Sequence, residues 1–447
     1  MSINNSQDLL DDLRTYGIIV TEHRLFGANI RLVPGTYTPN WDTSEVDSVT
    51  FQGTAGRDAL FGGGGEGYAF FIGTRGDDLY GTSANPDSFS VAYADYSGAR
   101  TGIIVNMDYH GTRTFTDAEG DVRTVDVIGK ASDGFGGTDY FAASAEAWNV
   151  GASSLWGVIG SSHRDVMVGD ADFFGGRGND LLIGSSAFGG EGNDRLVGRA
   201  SDLRSYVSLY GDEGNDVILG VDSVYNSLDG GAGNDRIVAG SGEDQNLYGG
   251  DGNDCLIGSD EADKRLLGGA GDDWIFAGTG DDGYVIGQAG NDYIDGGAGD
   301  DFIDGGVGKD VLVSGSGNDI INPDVEYFQS NPDQARDGAK DVIKVTRADL
   351  GDYTDVVLSR AFEAGRDEIR FKEAVCRGES YRVFTEAQSF NDAGKLLRPD
   401  DLADRQNTVL QIDQDGDGFG GATPDSDDYF LVVLDATLSQ HNGYLLT

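Results

Sequence analysis

The sequence predicts an all-β chain whose central part is a parallel solenoid of very short strands joined by tight turns. Three observations carry this reading: an aspartate recurs with a period of nine, each such aspartate closes a glycine-rich turn, and a large aliphatic residue stands two places beyond most of them. Glycine is abundant, at 71 of 447 residues, about twice the share of an ordinary globular protein.

The aspartates that close successive turns are Asp180, Asp194, Asp216, Asp235, Asp244, Asp254, Asp273, Asp282, Asp292, Asp301, Asp310 and Asp319, in segments such as GGRGND, GGAGND and GGAGDD. From Asp235 onward the steps are 9, 10, 19, 9, 10, 9, 9 and 9; the earlier steps of 14, 22 and 19 read as nine or eighteen with small insertions that form surface loops. Two places past the aspartates stand Leu182, Leu196, Ile218, Ile237, Leu256, Ile275, Ile294, Ile303, Leu312 and Ile321. The Asp244 and Asp282 units depart from this, with Asn246 and Tyr284. One apolar residue between two outward neighbours is the pattern of a minimal strand. Each unit is then a turn and a strand, and two units make one coil of eighteen.

The turn chemistry points to a hard cation. Calcium takes six to eight oxygens, carboxylate and carbonyl alike, and glycine lets a turn enter positive φ and aim its carbonyls inward. Stacked turns would set such oxygens around ions shared between coils. Carboxylates aligned at the strand spacing of about 4.8 Å repel by about 3.5 kcal/mol at an effective dielectric near 20. A cross-strand side-chain pair returns only about 0.2 to 1 kcal/mol. Binding and folding of this region are therefore expected to be coupled.

These units resemble those of the repeats-in-toxin (RTX) family, whose pattern is G-G-x-G-x-D-x-U-x with U a large apolar residue. The resemblance is dense over residues 160–325. It implies a right-handed parallel β-roll, a calcium-bound β-solenoid, with the aspartates above as ligands and the Leu/Ile column as its interior. Asp244 and Asp282 lie in shortened units. GTAGRD at Asp58 and GTRGDD at Asp78 resemble degenerate units, and GSSHRD at Asp165 and GGTD at Asp139 lead back into register; Asp58, Asp78 and Asp165 join the candidate ligands. Pairing the repeats into shared sites gives on the order of ten ions.

The flanks differ from the repeats. In residues 1–50, Ser6, Leu9, Leu10 and Leu13 suggest a capped helix ending near Gly17, and Ile18–Val20 and Ile30–Val33 read as strands before a Pro34-Gly35 turn. This is a small α/β cap or assembly segment. Residues 51–159 combine degenerate repeats with a strand-rich insert, with strands expected over Val91–Tyr96, Ile103–Met107 and Arg123–Ile128. Residues 326–447 form a β-rich C-terminal domain with strands over Thr408–Ile412 and Tyr429–Leu434. Between them, Asp413-Gln-Asp415-Gly-Asp417-Gly starts like an EF-hand loop, but Pro424 stands where a bidentate Glu is required. The arrangement resembles the terminal region of RTX proteins exported by type I secretion; as plain solvated acid it would carry no such meaning.

Composition excludes several functions. With 77 acidic against 31 basic residues and a net charge of -46, the chain repels nucleic acid and anionic membrane surfaces. Cys255 and Cys376 stand 121 positions apart and make no CxxC motif. Residues 1–14 hold Asp8, Asp11 and Asp12 and no apolar core, so no cleavable signal peptide is expected, and no apolar run reaches transmembrane length. None of His23, His110, His163 and His441 is followed by Glu, so no HExxH helix forms, and GxSxG is missing. A catalytic role is not expected. The favoured function is a secreted, calcium-dependent structural or self-assembling component of the cell exterior, such as a surface layer, matrix or filament. A glycan-binding adhesin is the second reading, and a polysaccharide-acting enzyme the third.

Overall fold

The computed structural model describes residues 19–24, 27–31, 48–52, 59–62, 68–82, 92–116, 122–142, 156–200, 206–222, 225–242, 245–323, 339–344, 354–357, 367–370, 380–386, 407–413, 429–433, 439–441 and 444–446. Every regular element among them is a strand. The chain is an all-β parallel β-roll and divides into two compact units, Met1–Val217 and Ile218–Thr447.

In the first unit, Ile19–Arg24 and Gly27–Arg31 form an antiparallel hairpin. Parallel pairing then runs from Gly27–Arg31 through Ser48–Gln52, Tyr68–Ile72, Ala92–Asp95, Trp156–Ile159, Asp172–Arg177 and Ser186–Glu191 to Tyr206–Glu213. The expected N-terminal helix and the Pro34-Gly35 turn lie outside the described residues.

The opposite sheet of this unit is interrupted. Ala59–Gly62, Leu79–Thr82 and Thr138–Ala142 pair in parallel. The long strand Val122–Ser132 then pairs antiparallel with Thr138–Ala142, Gly111–Thr116 and Ile104–Asn106. Parallel order resumes from Ile104–Asn106 through Val166–Val168 and Leu181–Gly184 to Arg195–Gly198. The strand-rich insert thus takes a place inside the sheet. The ladder also runs through residue 160 without a break.

The second unit is more regular. One sheet runs from Tyr225–Ala232 through Asn246–Asp251, Arg265–Ala270, Val285–Ala289, Phe302–Val307, Ile320–Asn322 and Thr354–Val357 to Tyr429–Val433. The other runs from Arg236–Val238 through Cys255–Ile257, Trp274–Phe276, Tyr293–Ala298, Val311–Ser316 and Val342–Lys344 to Glu368–Arg370. Parallel pairing therefore continues beyond residue 325. Antiparallel strands follow at this end: Asn407–Asp413 and Ser380–Glu386 on the first sheet, Tyr444–Leu446 and Ser439–His441 on the second. They cover strand edges that would otherwise present unpaired backbone.

The interior follows the period of the sequence. Leu182 and Leu196 in a sheet of the first unit, and Ile237, Leu256, Ile275, Ile294 and Leu312 in a sheet of the second, are fully buried. Ile303 and Ile321 are buried in the opposite sheet, facing inward with Leu228, Leu247, Leu266 and Val285. Burying such a side chain contributes about 1.5 to 3 kcal/mol.

The two exceptions have a simple cause. In the Asp282 unit the inward residue is Val285, three places on rather than two, and in the Asp244 unit it is Leu247. Their turns are short, but each of those units spans ten residues from one aspartate to the next, and in the Asp282 unit the extra residue sits between aspartate and strand. The early steps behave differently from expectation. The step of 14 from Asp180 to Asp194 is a complete coil and not a unit of nine with an insertion, because Leu181–Gly184 lies directly beside Arg195–Gly198. Only Ser185 separates Leu181–Gly184 from the returning strand Ser186–Glu191, which shortens the coil.

Candidate metal centres

The regular turns are built around two glycines in conformations that other residues rarely adopt. In the segment Gly268-Gly269-Ala270-Gly271-Asp272-Asp273, Gly269 has φ +116° and Gly271 φ +129°. The turn thereby folds back tightly and delivers Asp273 beneath its own first glycine. Asp212 and Gln288 occupy the equivalent of Gly269 in two other turns, at φ +71° and +78°.

The repeat aspartates form ladders in which each backbone N–H donates to the carboxylate of the following coil. In the first unit, Asp165 donates to Asp180 Oδ1 at 2.8 Å, Asp180 to Asp194 at 2.7 Å, and Asp194 to Asp216 at 2.7 Å. In the second unit, Asp235 donates to Asp254, Asp254 to Asp273, Asp273 to Asp292, and Asp292 to Asp310, at 2.7 to 2.9 Å. The opposite edge of that unit carries its own ladder, from Asp263 through Asp282 and Asp301 to Asp319. Asp78 donates to Asp139 Oδ1 at 3.0 Å in the irregular part of the first unit. Asp58 and Asp244 lie outside the described residues.

Several members of these ladders escaped the sequence reading. Asp263 fills the step of 19 between Asp254 and Asp273, but its turn lacks the G-x-G signature. Asp341 and Asp367 extend the longer ladder, accepting from Asp310 and Asp341 at 2.8 and 3.1 Å. Both keep the aliphatic residue two places on, Ile343 and Ile369, which is the signal that could have found them. A parallel outer ladder uses the residue before the aspartate: Asn234 accepts from the N–H of Asn253, Asn253 from Asp272, and Asp272 from Asn291.

One carboxylate oxygen thus meets the backbone, and the other is left over. Oδ2 of Asp180, Asp194, Asp254, Asp273, Asp282, Asp292 and Asp301 is buried with no hydrogen-bond partner. Except in the Asp282 turn, which begins with Ala277, these oxygens lie with backbone carbonyls against the first glycine of the turn. A Cβ on Gly249 would lie 2.5 Å from Asp254 Oδ2 and 2.2 Å from the Gly268 carbonyl oxygen. One on Gly287 would lie 2.3 Å from Asp292 Oδ2 and 2.5 Å from the Gly305 oxygen. Two acceptors beside one glycine with no donor on the carboxylate oxygen fit a hard cation. Among the described residues no three carboxylate, imidazole or thiolate groups gather at one point, so carbonyls would supply most of the ligands.

The electrostatics agree. Burial pushes the Asp180, Asp273, Asp282 and Asp292 carboxyls up to about 7, Asp254 and Asp263 to about 6, and Asp301 to about 9. Neighbouring carboxylates add to the rise, as Asp292 does at Asp273 and Asp319 at Asp301. A buried group that needs to be neutralised will accept a proton or a metal ion.

The geometry has a counterpart among known proteins. The family model described as the RTX calcium-binding nonapeptide repeat matches residues 50–66, 188–202, 206–221, 225–245, 246–264, 265–284 and 286–321. No curated protein matches the chain. The matched segments contain most of the ladder aspartates of the second unit, and Asp194 and Asp216 of the first.

Proposed function

Since the chain is an RTX repeat protein, and such repeats bind calcium in proteins that are typically secreted, we propose that it is an extracellular structural subunit that folds on calcium and then self-associates. The ions would be held by Oδ2 of Asp180, Asp194, Asp254, Asp273, Asp282, Asp292 and Asp301 together with glycine carbonyls such as those of Gly268 and Gly305. Calcium would supply the positive charge that the buried carboxylates lack. The chain's own part is to hold those oxygens at one spacing and exclude water from them. Export would follow the type I route that the acidic loop after Asp413 resembles. No helix among the described residues is long and apolar enough to cross a membrane.

The observation that carries the assembly reading is the outer face of the second unit. Trp274 is 56% exposed on the solvent side of its sheet. It stacks on Tyr293 at 5.2 Å and lies against Phe276, with half-buried Cys255 and Ile257 on the adjoining strand. Apolar surface of this kind, on a chain with a net charge of -46, suits contact between copies once calcium has reduced their mutual repulsion.

The aromatic ladder of the first unit gives less support to glycan binding. Phe174, Phe188 and Tyr210 stack at 5.0 and 4.8 Å with nearly parallel planes. Their faces, which a sugar would need, are used by one another. No catalytic role is part of this proposal.

Calcium titration with circular dichroism, light scattering and electron microscopy tests both halves. Folding followed by ordered assemblies is expected, and Trp274→Ser should keep the first and lose the second. A wild-type chain that stays monomeric at saturating calcium would refute the assembly reading.

A further inference from the structure

We propose that the first unit holds a calcium-class cation outside the repeat register, between Asp133 and the backbone carbonyl of Gly76. Asp133 follows the long strand Val122–Ser132 and opens the turn into Thr138–Ala142. It is completely buried. Its Oδ1 accepts three backbone N–H bonds, from Phe135, Gly136 and Gly137, each at 2.8 Å. Its Oδ2 is buried and has no hydrogen-bond partner.

The turn containing Gly76 stacks directly on this one. Thr138 N–H donates to Asp77 Oδ1 at 2.9 Å, and Asp78 N–H donates to Asp139 Oδ1 at 3.0 Å. A Cβ on Gly137 would lie 1.8 Å from the Gly76 carbonyl oxygen and 2.7 Å from Asp133 Oδ2. Two oxygen acceptors therefore lie against the same glycine, and neither brings a proton. Left so, they repel, and a buried carboxylate oxygen with nothing to bind destabilises the fold.

The neighbouring carboxylate is provided for differently, which sets Asp133 apart. Oδ2 of Asp139 accepts from the Tyr80 and Tyr96 hydroxyls at 3.1 and 2.9 Å. Both phenols and Asp139 are fully buried, so the hydroxyls serve that carboxylate in place of a metal. Asp133 has no such donor on its second oxygen. A hard divalent ion satisfies Asp133 Oδ2 and the Gly76 oxygen at once. The segment DGFGGTD departs from the nonapeptide spacing, and Asp133, six places before the ladder aspartate Asp139, binds the amides of its own turn and not that of another coil; its position is not one the repeat aspartates hold.

The test is the substitution Asp133→Asn in the full chain. Asparagine keeps an oxygen for the three turn amides and replaces Oδ2 with an NH₂ that can donate to Gly76. Calcium content is measured by atomic emission after dialysis against a fixed free calcium concentration, with Asp292→Asn as a repeat-ladder reference. Asp133→Asn is expected to bind one calcium ion fewer per chain. It should also resist urea better than wild type without calcium and less well with it. An unchanged ion count, or no reversal between the two conditions, would overturn the site. If the variant fails to fold, Asp133→Ser, which keeps only the short acceptor, takes the same measurement. A wild-type chain that binds no calcium at all would overturn the calcium reading as a whole, whereas an unchanged count in the variant alone overturns only this site.

Discussion

Protons should replace calcium in holding the roll together. In the second unit the ladder Asp235, Asp254, Asp273, Asp292 and Asp310 contains four neighbouring pairs. At about 3.5 kcal/mol each, four ionised pairs oppose the fold by roughly 14 kcal/mol. The four N–H···carboxylate bonds return about 1.5 to 3 kcal/mol each, which does not close the gap. Neutralising the ladder removes the repulsion. Burial raises Asp273 and Asp292 to about 7 and Asp254 to about 6, against about 3.9 in an unfolded chain. The metal-free fold therefore binds more protons than the unfolded chain between about pH 4 and 7, and its stability falls as pH rises through that window. The assay is circular dichroism on protein stripped of calcium over a chelating resin at pH 8 and moved into calcium-free buffers down to pH 5.5, with light scattering to detect aggregation. The β signal should be weak at pH 8 and grow on acidification. An identical signal at both pH values, whether full or absent, would refute the electrostatic argument.

Other expectations concern single positions. Asp292→Ala or Asp301→Ala should raise the calcium midpoint of folding, measured by circular dichroism; no change at either would remove it from the ligand set. Gly249→Ala should do more damage than a surface Gly→Ala change, because its Cβ would fall 2.2 Å from the Gly268 oxygen and 2.5 Å from Asp254 Oδ2; calcium binding and the melting temperature should both drop. Gln288→Gly should stabilise the calcium-bound protein by about 1 kcal/mol in urea, since Gln288 sits at φ +78°, where a side chain is strained. Ile275→Ala, at a fully buried position, should cost about 2 to 5 kcal/mol in the same assay.

Much of this molecule can be read from spacing because each residue of a unit has one task. The aliphatic residue after each aspartate has only one place to go, and Leu182, Ile237 and Ile294 are buried as that pattern requires. The ladder contacts were not legible in the same way. That an aspartate N–H binds the next coil's carboxylate is a three-dimensional relation with no composition of its own. Asp263 was hidden because Ser259, whose N–H and hydroxyl both donate to its carboxylate, holds its turn without the usual glycine signature. Asp341 and Asp367 were hidden by long intervening segments, 31 and 26 residues from one ladder member to the next. Stacking absorbs such insertions because pairing needs only the short strand to return to register, as Val342–Lys344 does beside Val311–Ser316. Asp133 was invisible for a related reason: its partner, the Gly76 carbonyl, belongs to the backbone and leaves no trace in residue type.

The ladders also have a direction. In the inner, buried ladders each aspartate amide is served by an oxygen that lies later in the chain, so Asp273 depends on Asp292 and Asp310 on Asp341. The exposed outer ladder runs the other way, with Asp272 depending on Asn253. Removing coils from the front leaves the buried amides content and takes acceptors only from the exposed outer ladder, whose amides water can serve. Removing them from the rear strips the last remaining turn of its acceptor and exposes the next to the same loss. Trimming from opposite ends should thus have unequal effects, with shortened tails unravelling backwards while shortened heads stay wound.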